Sequence, residues 1–289
     1  MVMHNNTLSD FLQLGKFRLS LLVLFTTMIG YGLGVKEPSV MSILYLLTGT
    51  LLCSMGANGL NQWWERDRDR QMARTKHRPL PAGRMLPNVA LMATSCWLAS
   101  GITILYLGLN PLTALLAIII SLSYLLIYTP LKIYSSIAIL AGALPGAIPP
   151  VMGWTAATGS ISAQAWILGC LMYLWQIPHF MSLAAIYRAD YERGGYNLLP
   201  DNPAIEKTTR GIVLIFSIAL LSISVLAPLA GLGQKIFAVG SLLTGCALLY
   251  LASCFYHKYS LINARRLFIG SILYLPVIMM ILLLDHRIF

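Results

Sequence analysis

The sequence predicts an all-α, polytopic membrane protein, with about nine transmembrane helices in one bundle and its N-terminus on the cytoplasmic side. Three observations carry that prediction. The chain is 57% hydrophobic and only 10% charged, with a mean hydropathy of +0.73, whereas soluble domains carry about 25% charged residues. Its apolar runs are continuous and near the roughly 20 residues a helix needs to cross a bilayer, not alternating like barrel strands. Basic residues are also distributed very unequally between the two sides of those runs.

The first run, 19–35, follows the polar stretch MVMHNNTLSDFLQLGKFR. No small-residue cleavage site follows it, so it reads as a retained anchor rather than a secretory signal. Runs at 40–60, 89–108 and 111–129 come next. The fifth, 135–153, is rich in Gly and Pro and is the least regular. The others span 164–186, 211–230, 236–255 and 267–284. No linker or shift in composition divides the chain, so residues 1–289 form a single integral-membrane domain in this reading.

Threading the nine runs places seventeen Lys and Arg residues on one side. They are Lys16, Arg18, the seven from Arg66 to Arg84, Lys132, Arg188, Arg193, Lys207, Arg210, Lys258, Arg265 and Arg266. The other side receives Lys36, Lys235 and Arg287. Basic residues accumulate in cytoplasmic loops, so this side faces the cytoplasm, in a cytoplasmic (inner) membrane. The net charge of +10 then follows from topology, and no nucleic-acid partner is needed to explain it. The five cysteines all fall in apolar runs without metal-like spacing, where they read as small buried side chains.

Two polar loops, 61–88 and 187–210, are long and fall on the same side. The first opens with NQWWERDRDRQMARTKHRPLPAGR. On a helix, at about 100° per residue, Asn58, Asn61, Glu65 and Asp69 share an arc of roughly 80°, with Asp67 on the far side. Two carboxylates at i and i+4, with amides one and two turns earlier, suit Mg²⁺, which takes hard oxygen ligands and shares its shell with substrate phosphates. A solvated helix end laced with Glu/Asp–Arg pairs fits the spacing equally well. The bases that follow, Arg74 and Arg78 among them, match phosphate oxygens, although positive-inside bias alone also explains such a cluster.

The sixth run and its sequel read LWQIPHFMSLAAIYRADYERGGYNLLP. Gln176 and His179 are polar groups inside an apolar span, where such residues usually face the bundle interior. Pro178 kinks that helix. Tyr187 and Asp190 lie near the face of His179, at the cytoplasmic end. An interhelical hydrogen bond for His179 and an ordinary loop position for Asp190 are the plainer readings. Lys132, in YTPLKIY, either anchors its helix end by snorkelling or reaches a shared anion.

These residues carry a resemblance. NQWWERDRDRQMARTKHRPLPAGR is similar to the first motif of the UbiA superfamily of intramembrane prenyltransferases, in the form used by the subgroup that farnesylates protoheme IX. YTPLK, GALPGAIPPVMGW, WQIPHF and DYERGGYNLLP agree with that subgroup. In the superfamily pattern N-D-x-x-D-x-x-x-D, Asn61, Glu65 and Asp69 match the first, fifth and ninth places, and Gln62 replaces the second-place acid. A second acid pair, four apart, follows the sixth helix in the superfamily. Here it is Asp190 and Gly194, with Glu192 and Asp201 as nearby acids.

The resemblance implies Mg²⁺ as the cofactor, with Asn61, Glu65, Asp69 and Asp190 as its ligands. It implies farnesyl diphosphate and heme b as substrates, diphosphate held by Arg74, Arg78 and Lys132, and heme contacted by His179 and Gln176. Asn58 and Tyr187 complete the catalytic set; Tyr187, Tyr124 and Tyr128 either offer π faces to an allylic cation or simply pack against neighbouring helices. The products are heme O and diphosphate, and a downstream heme-modifying enzyme or a heme–copper oxidase assembly is the implied partner. A UbiA-type enzyme with a quinone-precursor or other aromatic acceptor is the rival reading. A membrane heme carrier is a further one, opposed by the gathering of the acids at one face rather than along a path.

Overall fold

The computed structural model of the chain describes residues 7–199 and 202–288. Its elements are all helical: α1 (Leu8–Leu14), α2 (Phe17–Gly34), α3 (Val40–Asp69), α4 (Pro87–Gly108) and α5 (Pro111–Leu122). A π-helical turn, Ser123–Tyr128, joins α5 to α6 (Thr129–Tyr134). Then follow α7 (Ala138–Thr158), α8 (Ala163–Ile186), α9 (Arg188–Arg193), α10 (Pro203–Leu226), α11 (Lys235–His257) and α12 (Leu261–Ile288). Among the described residues, nine helical spans are long and apolar enough to cross a membrane. They coincide with the nine runs of the sequence, and the chain is a multi-pass membrane protein.

Local chemistry starts these helices where it should. Ser39, Asn110, Ser162 and Asn202 each accept a backbone N–H of the first turn, and Pro87, Pro111 and Pro203 stand at the first helical positions. Two boundaries differ from the hydropathy reading. α3 runs on to Asp69, so the first polar loop begins at 70 rather than 61. α10 begins at Pro203, so the second loop ends near 202 rather than 210. Both extensions are polar and stand beyond the apolar runs, so hydropathy alone misses them. The Asn202 cap and a Glu206–Arg210 pair one turn apart support the second.

In lipid, helices associate through close packing rather than by escaping water, so small residues mark the tightest crossings. α2 and α7 meet at Gly30 and Gly153. A Cβ on Gly30 would stand 1.8 Å from the Pro150 carbonyl oxygen, and one on Gly153 would stand 1.8 Å from that of Thr27. α3 and α4 meet in the same way, with Gly56 against the backbone of Leu98. α8, α10, α11 and α12 enclose a core that includes Leu168, Ile177, Leu220, Phe237 and Leu267. Leu22, Leu107, Leu229 and Leu243 are exposed on the outside, as a lipid-facing surface requires. At the end away from the long polar loops, Asp285 Oδ2 on α12 accepts the backbone N–H groups of Gln234 and Phe237, capping α11 from outside its own chain segment.

Candidate active site

The polar extension of α3 turns Asn61, Glu65 and Asp69 inward, each buried, while Asp67 lies exposed on the opposite side beside Arg66. Each inward residue meets a cation from a different element. Asn61 Oδ1 accepts from Lys16 Nζ at 3.0 Å, and its amide donates to Thr129 Oγ1 at 3.0 Å. Glu65 pairs with Lys132 Nζ. Asp69 Oδ2 accepts from Arg78 Nη1 at 2.6 Å. Three stretches of chain, at Lys16, at Arg78 and at Thr129–Lys132, therefore converge on successive turns of one helix.

The π-helical turn explains how Lys132 arrives there. Pro130 supplies no N–H for the preceding turn and its ring crowds it, and the widened turn before it rotates the tyrosines. Tyr124 and Tyr128 stack at 5.6 Å, and Lys132 Nζ lies 5.3 Å from the centre of the Tyr128 ring and 4.7 Å from that of Tyr196. Such widened turns recur at functional sites.

The second loop closes over the first. Arg68 Nη1 donates to the carbonyls of Gly194 and Gly195, both at 3.0 Å, and Asn197 N donates to Lys132 O at 3.1 Å. Arg74 is exposed and lies over the rings of Tyr187 (5.2 Å) and Tyr191 (5.7 Å). Asp190 is buried and joins the two loops. Its carboxylate accepts from Ala73 N at 2.8 Å, Arg74 N at 3.2 Å and the Arg193 guanidinium at 2.5 Å. Burial pushes the Asp190 carboxyl up, but Arg193 and the two amides outweigh it and hold the group below the usual carboxylate range.

The other expected residues have these places. Asn58 is buried and donates to Ser54 Oγ, one turn earlier in α3, at 3.4 Å; Ser54 in turn donates to Ser20 Oγ of α2 at 2.9 Å. Gln176 donates to Met172 O within α8 and packs against Gly146 of α7. His179 lies between the rings of Trp175 and Phe268, at 4.9 and 5.0 Å. Its Nδ1 is 2.8 Å from Ser271 Oγ, and that hydroxyl donates to Phe268 O at 2.7 Å. With the serine hydrogen so used, Nδ1 donates and the imidazole lone pair rests on Nε2. Asp201 lies outside the described residues.

Lys16 also belongs to this mouth, although the sequence marks it only as one of the basic residues that set the topology. It stands in the left-handed region (φ 48°), which turns its side chain back under α3, to Asn61 and to Tyr124 Oη at 3.3 Å. Desolvation first, and then the field of Arg78, push its ammonium down to about 7, against the opposing pull of Glu65. A lysine just before an apolar run was the available signal, and it is shared by ordinary membrane anchors.

No group of three or more His, Cys, Asp or Glu converges among the described residues. Glu65 and Asp69 with the Asn61 amide give two carboxylates and one neutral oxygen. That set suits a cation which completes its shell with water and phosphate, as Mg²⁺ does, and not one requiring an all-protein cage.

A family model for the UbiA prenyltransferase family matches residues 23–273. The chain belongs to this family. A protoheme IX farnesyltransferase of Solibacter usitatus is 38% identical over 288 residues, covering 96% of this chain and 98% of the relative. The mitochondrial protoheme IX farnesyltransferase of Homo sapiens is 39% identical over 276 residues, covering 95% of this chain and 62% of the relative. Among solved structures, a digeranylgeranylglyceryl phosphate synthase superposes with a TM-score of 0.83 at 15% identity, over 98% of this chain and 99% of that one. A UbiA homologue of Archaeoglobus fulgidus, bound to DMAPP and Mg²⁺, superposes with a TM-score of 0.61 at 14% identity, over 94% and 99%. At such identities the superpositions establish the common helical fold.

Proposed function

We infer that the chain transfers a farnesyl group from farnesyl diphosphate to a vinyl group of heme b, with addition of water, giving heme O and diphosphate. The observation that carries this reading is the convergence of Lys16, Arg78 and Lys132 on Asn61, Glu65 and Asp69 at one mouth of an otherwise apolar bundle. The curated relatives supply the identity of the acceptor.

When bound at Glu65 and Asp69, Mg²⁺ would supply positive charge to the diphosphate oxygens. The chain's own groups do the rest. Lys16, Arg74, Arg78 and Lys132 are placed to neutralise the diphosphate as the allylic C–O bond breaks and its electron pair leaves with oxygen, so the charge that develops meets cations already in position. The stacked Tyr124 and Tyr128 rings lie beside that mouth and offer π faces to the allylic cation. The vinyl carbon then bonds C1 of the farnesyl chain, water attacks the adjacent carbon, and a proton is released. The apolar bundle delays bulk water until the carbon–carbon bond has formed. In this reading His179, with its lone pair on Nε2, contacts the heme through iron or a propionate, or polarises the terminal water.

In this reading the N-terminus and both polar loops face the cytoplasm, from a cytoplasmic membrane, with a downstream heme-modifying enzyme or oxidase assembly as the recipient of the product. The test is a detergent assay of purified protein with heme b, farnesyl diphosphate and Mg²⁺, read by mass spectrometry for hydroxyethylfarnesyl heme. A Mg²⁺-dependent product that Asp69→Asn fails to make supports the reading. Prenylation of a hydroxybenzoate with heme left unchanged would move the assignment to an aromatic acceptor.

A further inference from the structure

The second motif departs from the family pattern at Gly194, and the structure around that position is not a metal site with one ligand removed. A Cβ on Gly194 would stand 2.8 Å from Met72 Sδ and 3.1 Å from the Tyr196 ring, and the Gly194 carbonyl is bonded to Arg68. An aspartate here would need Met72, one of the most deeply buried side chains, to move aside. Asp190, the remaining member, already has three donors on its two oxygens. Two of them are consecutive backbone amides, Ala73 and Arg74, which no side-chain rotation can withdraw. The third is Arg193, one turn along α9.

We propose that Asp190 is a positioning residue, not a metal ligand: it clamps the 72–76 turn so that Arg74 stands over the diphosphate position, and the site works with one divalent cation, on Asn61, Glu65 and Asp69. The buried Met72 and Thr75 anchor the turn, with Thr75 Oγ1 donating to Asp69 O and Lys76 N to Met72 O. Ala73 and Arg74 between them are exposed, and their backbone N–H groups go to Asp190. Asp190 therefore ties Arg74 to α9, while the Tyr187 and Tyr191 rings aim its guanidinium. A guanidinium on the diphosphate supplies the charge that a second cation would otherwise bring, and its planar fork matches two phosphate oxygens at once.

This inference rests on the prenyl-diphosphate reading but not on the heme acceptor, so it is tested with no acceptor present. The probe is Mn²⁺ with the thiolo analogue of farnesyl diphosphate, which ionises slowly, on the full detergent-solubilised chain. Bound Mn²⁺ is counted by electron paramagnetic resonance. One ion per chain is expected, unchanged in Asp190→Asn. Two ions in the unaltered chain, or the loss of an ion in Asp190→Asn, would overturn the proposal. The count on the unaltered chain needs no variant to fold.

Kinetics give the second arm. Asp190→Asn is expected to raise KM for farnesyl diphosphate about 10-fold or more while leaving the Mg²⁺ concentration for half-activation unchanged. Arg74→Ala should give a similar rise, and the double variant no more than either alone, because both remove one positioned guanidinium. A shifted Mg²⁺ requirement, or additive effects, would count against the clamp. If the chain prenylates some acceptor other than heme, both arms still apply.

Discussion

Lys132 Nζ pairs with the Glu65 carboxylate between the rings of Tyr128 and Tyr196, and both side chains are more than nine-tenths buried. A Mg²⁺ ion held by Glu65, as proposed above, would compete with this ammonium for the same oxygens. Removing one partner of a buried ion pair costs about 3–5 kcal/mol because the other charge is left uncompensated. Lys132→Met should therefore lower the melting temperature in chelator. The divalent ion can then compensate Glu65 itself, so the rise in melting temperature on adding Mg²⁺ should be larger in Lys132→Met than in the unaltered chain. Equal rises would remove Glu65 from the metal site.

Lys16 leads to a pH prediction. Its ammonium is held at about 7, so in the free protein it is charged below that pH and largely neutral above it. Diphosphate binds the charged form, and linkage requires binding to take up a proton where the free group is neutral. KM for farnesyl diphosphate should thus be flat on the acid side and climb as pH rises through about 7. Lys16→Arg, which stays charged throughout, should flatten the profile between pH 6 and 9. A break that survives in Lys16→Arg belongs to some other group.

The sequence carries the nine spans because hydropathy over about 20 residues is a bulk property that packing cannot override. The α3 face was legible for a related reason: a continuous helix through Asp69 brings Asn61, Glu65 and Asp69 together by its pitch alone, and Asp67 turns away as that pitch requires. The partners of those residues were not legible. Lys16, Thr129 and Lys132 reach α3 across separations of 45 to 68 residues. The left-handed Lys16 and the π-helical turn that bring them there leave no periodic trace. Asp190 was visible as an acid beside the motif, but its engagement by the backbone of Ala73 and Arg74 depends on how two loops dock.

The α2–α7 crossing should be intolerant of a single methyl group. Gly153→Ala places a carbon 1.8 Å from the Thr27 carbonyl oxygen, a backbone atom that moves only with its helix. Overpacking costs about 1–3 kcal/mol when side chains can yield, and this contact should exceed that range. The matched control is Gly211→Ala on α10, where nothing lies within 4 Å of the added carbon. Glycine inside a helix is worse than alanine by roughly 0.5–1 kcal/mol, so the control should unfold at the same temperature or slightly higher. Yield of folded protein after detergent extraction and thermal unfolding of each variant separate the two.

The His179–Ser271 contact joins α8 to α12 and fixes which imidazole nitrogen is free. Ser271 is fully buried, and its hydroxyl hydrogen is directed to Phe268 O, so its oxygen accepts from Nδ1 and Nε2 keeps the lone pair. The ring planes of Trp175 and Phe268 hold the imidazole between them, so the hydrogen bond sets the tautomer more than the position of the ring. If Nε2 meets the heme iron, Ser271→Ala should weaken heme binding about 10-fold, within the 10–100-fold range typical of partners behind a metal-bound histidine. His179→Ala should abolish the change in the heme Soret band that binding to the chain produces. Ser271→Thr keeps the hydroxyl and should restore affinity. If Ser271→Ala instead slows turnover with the Soret band and heme affinity unchanged, His179 acts on the terminal water rather than on iron.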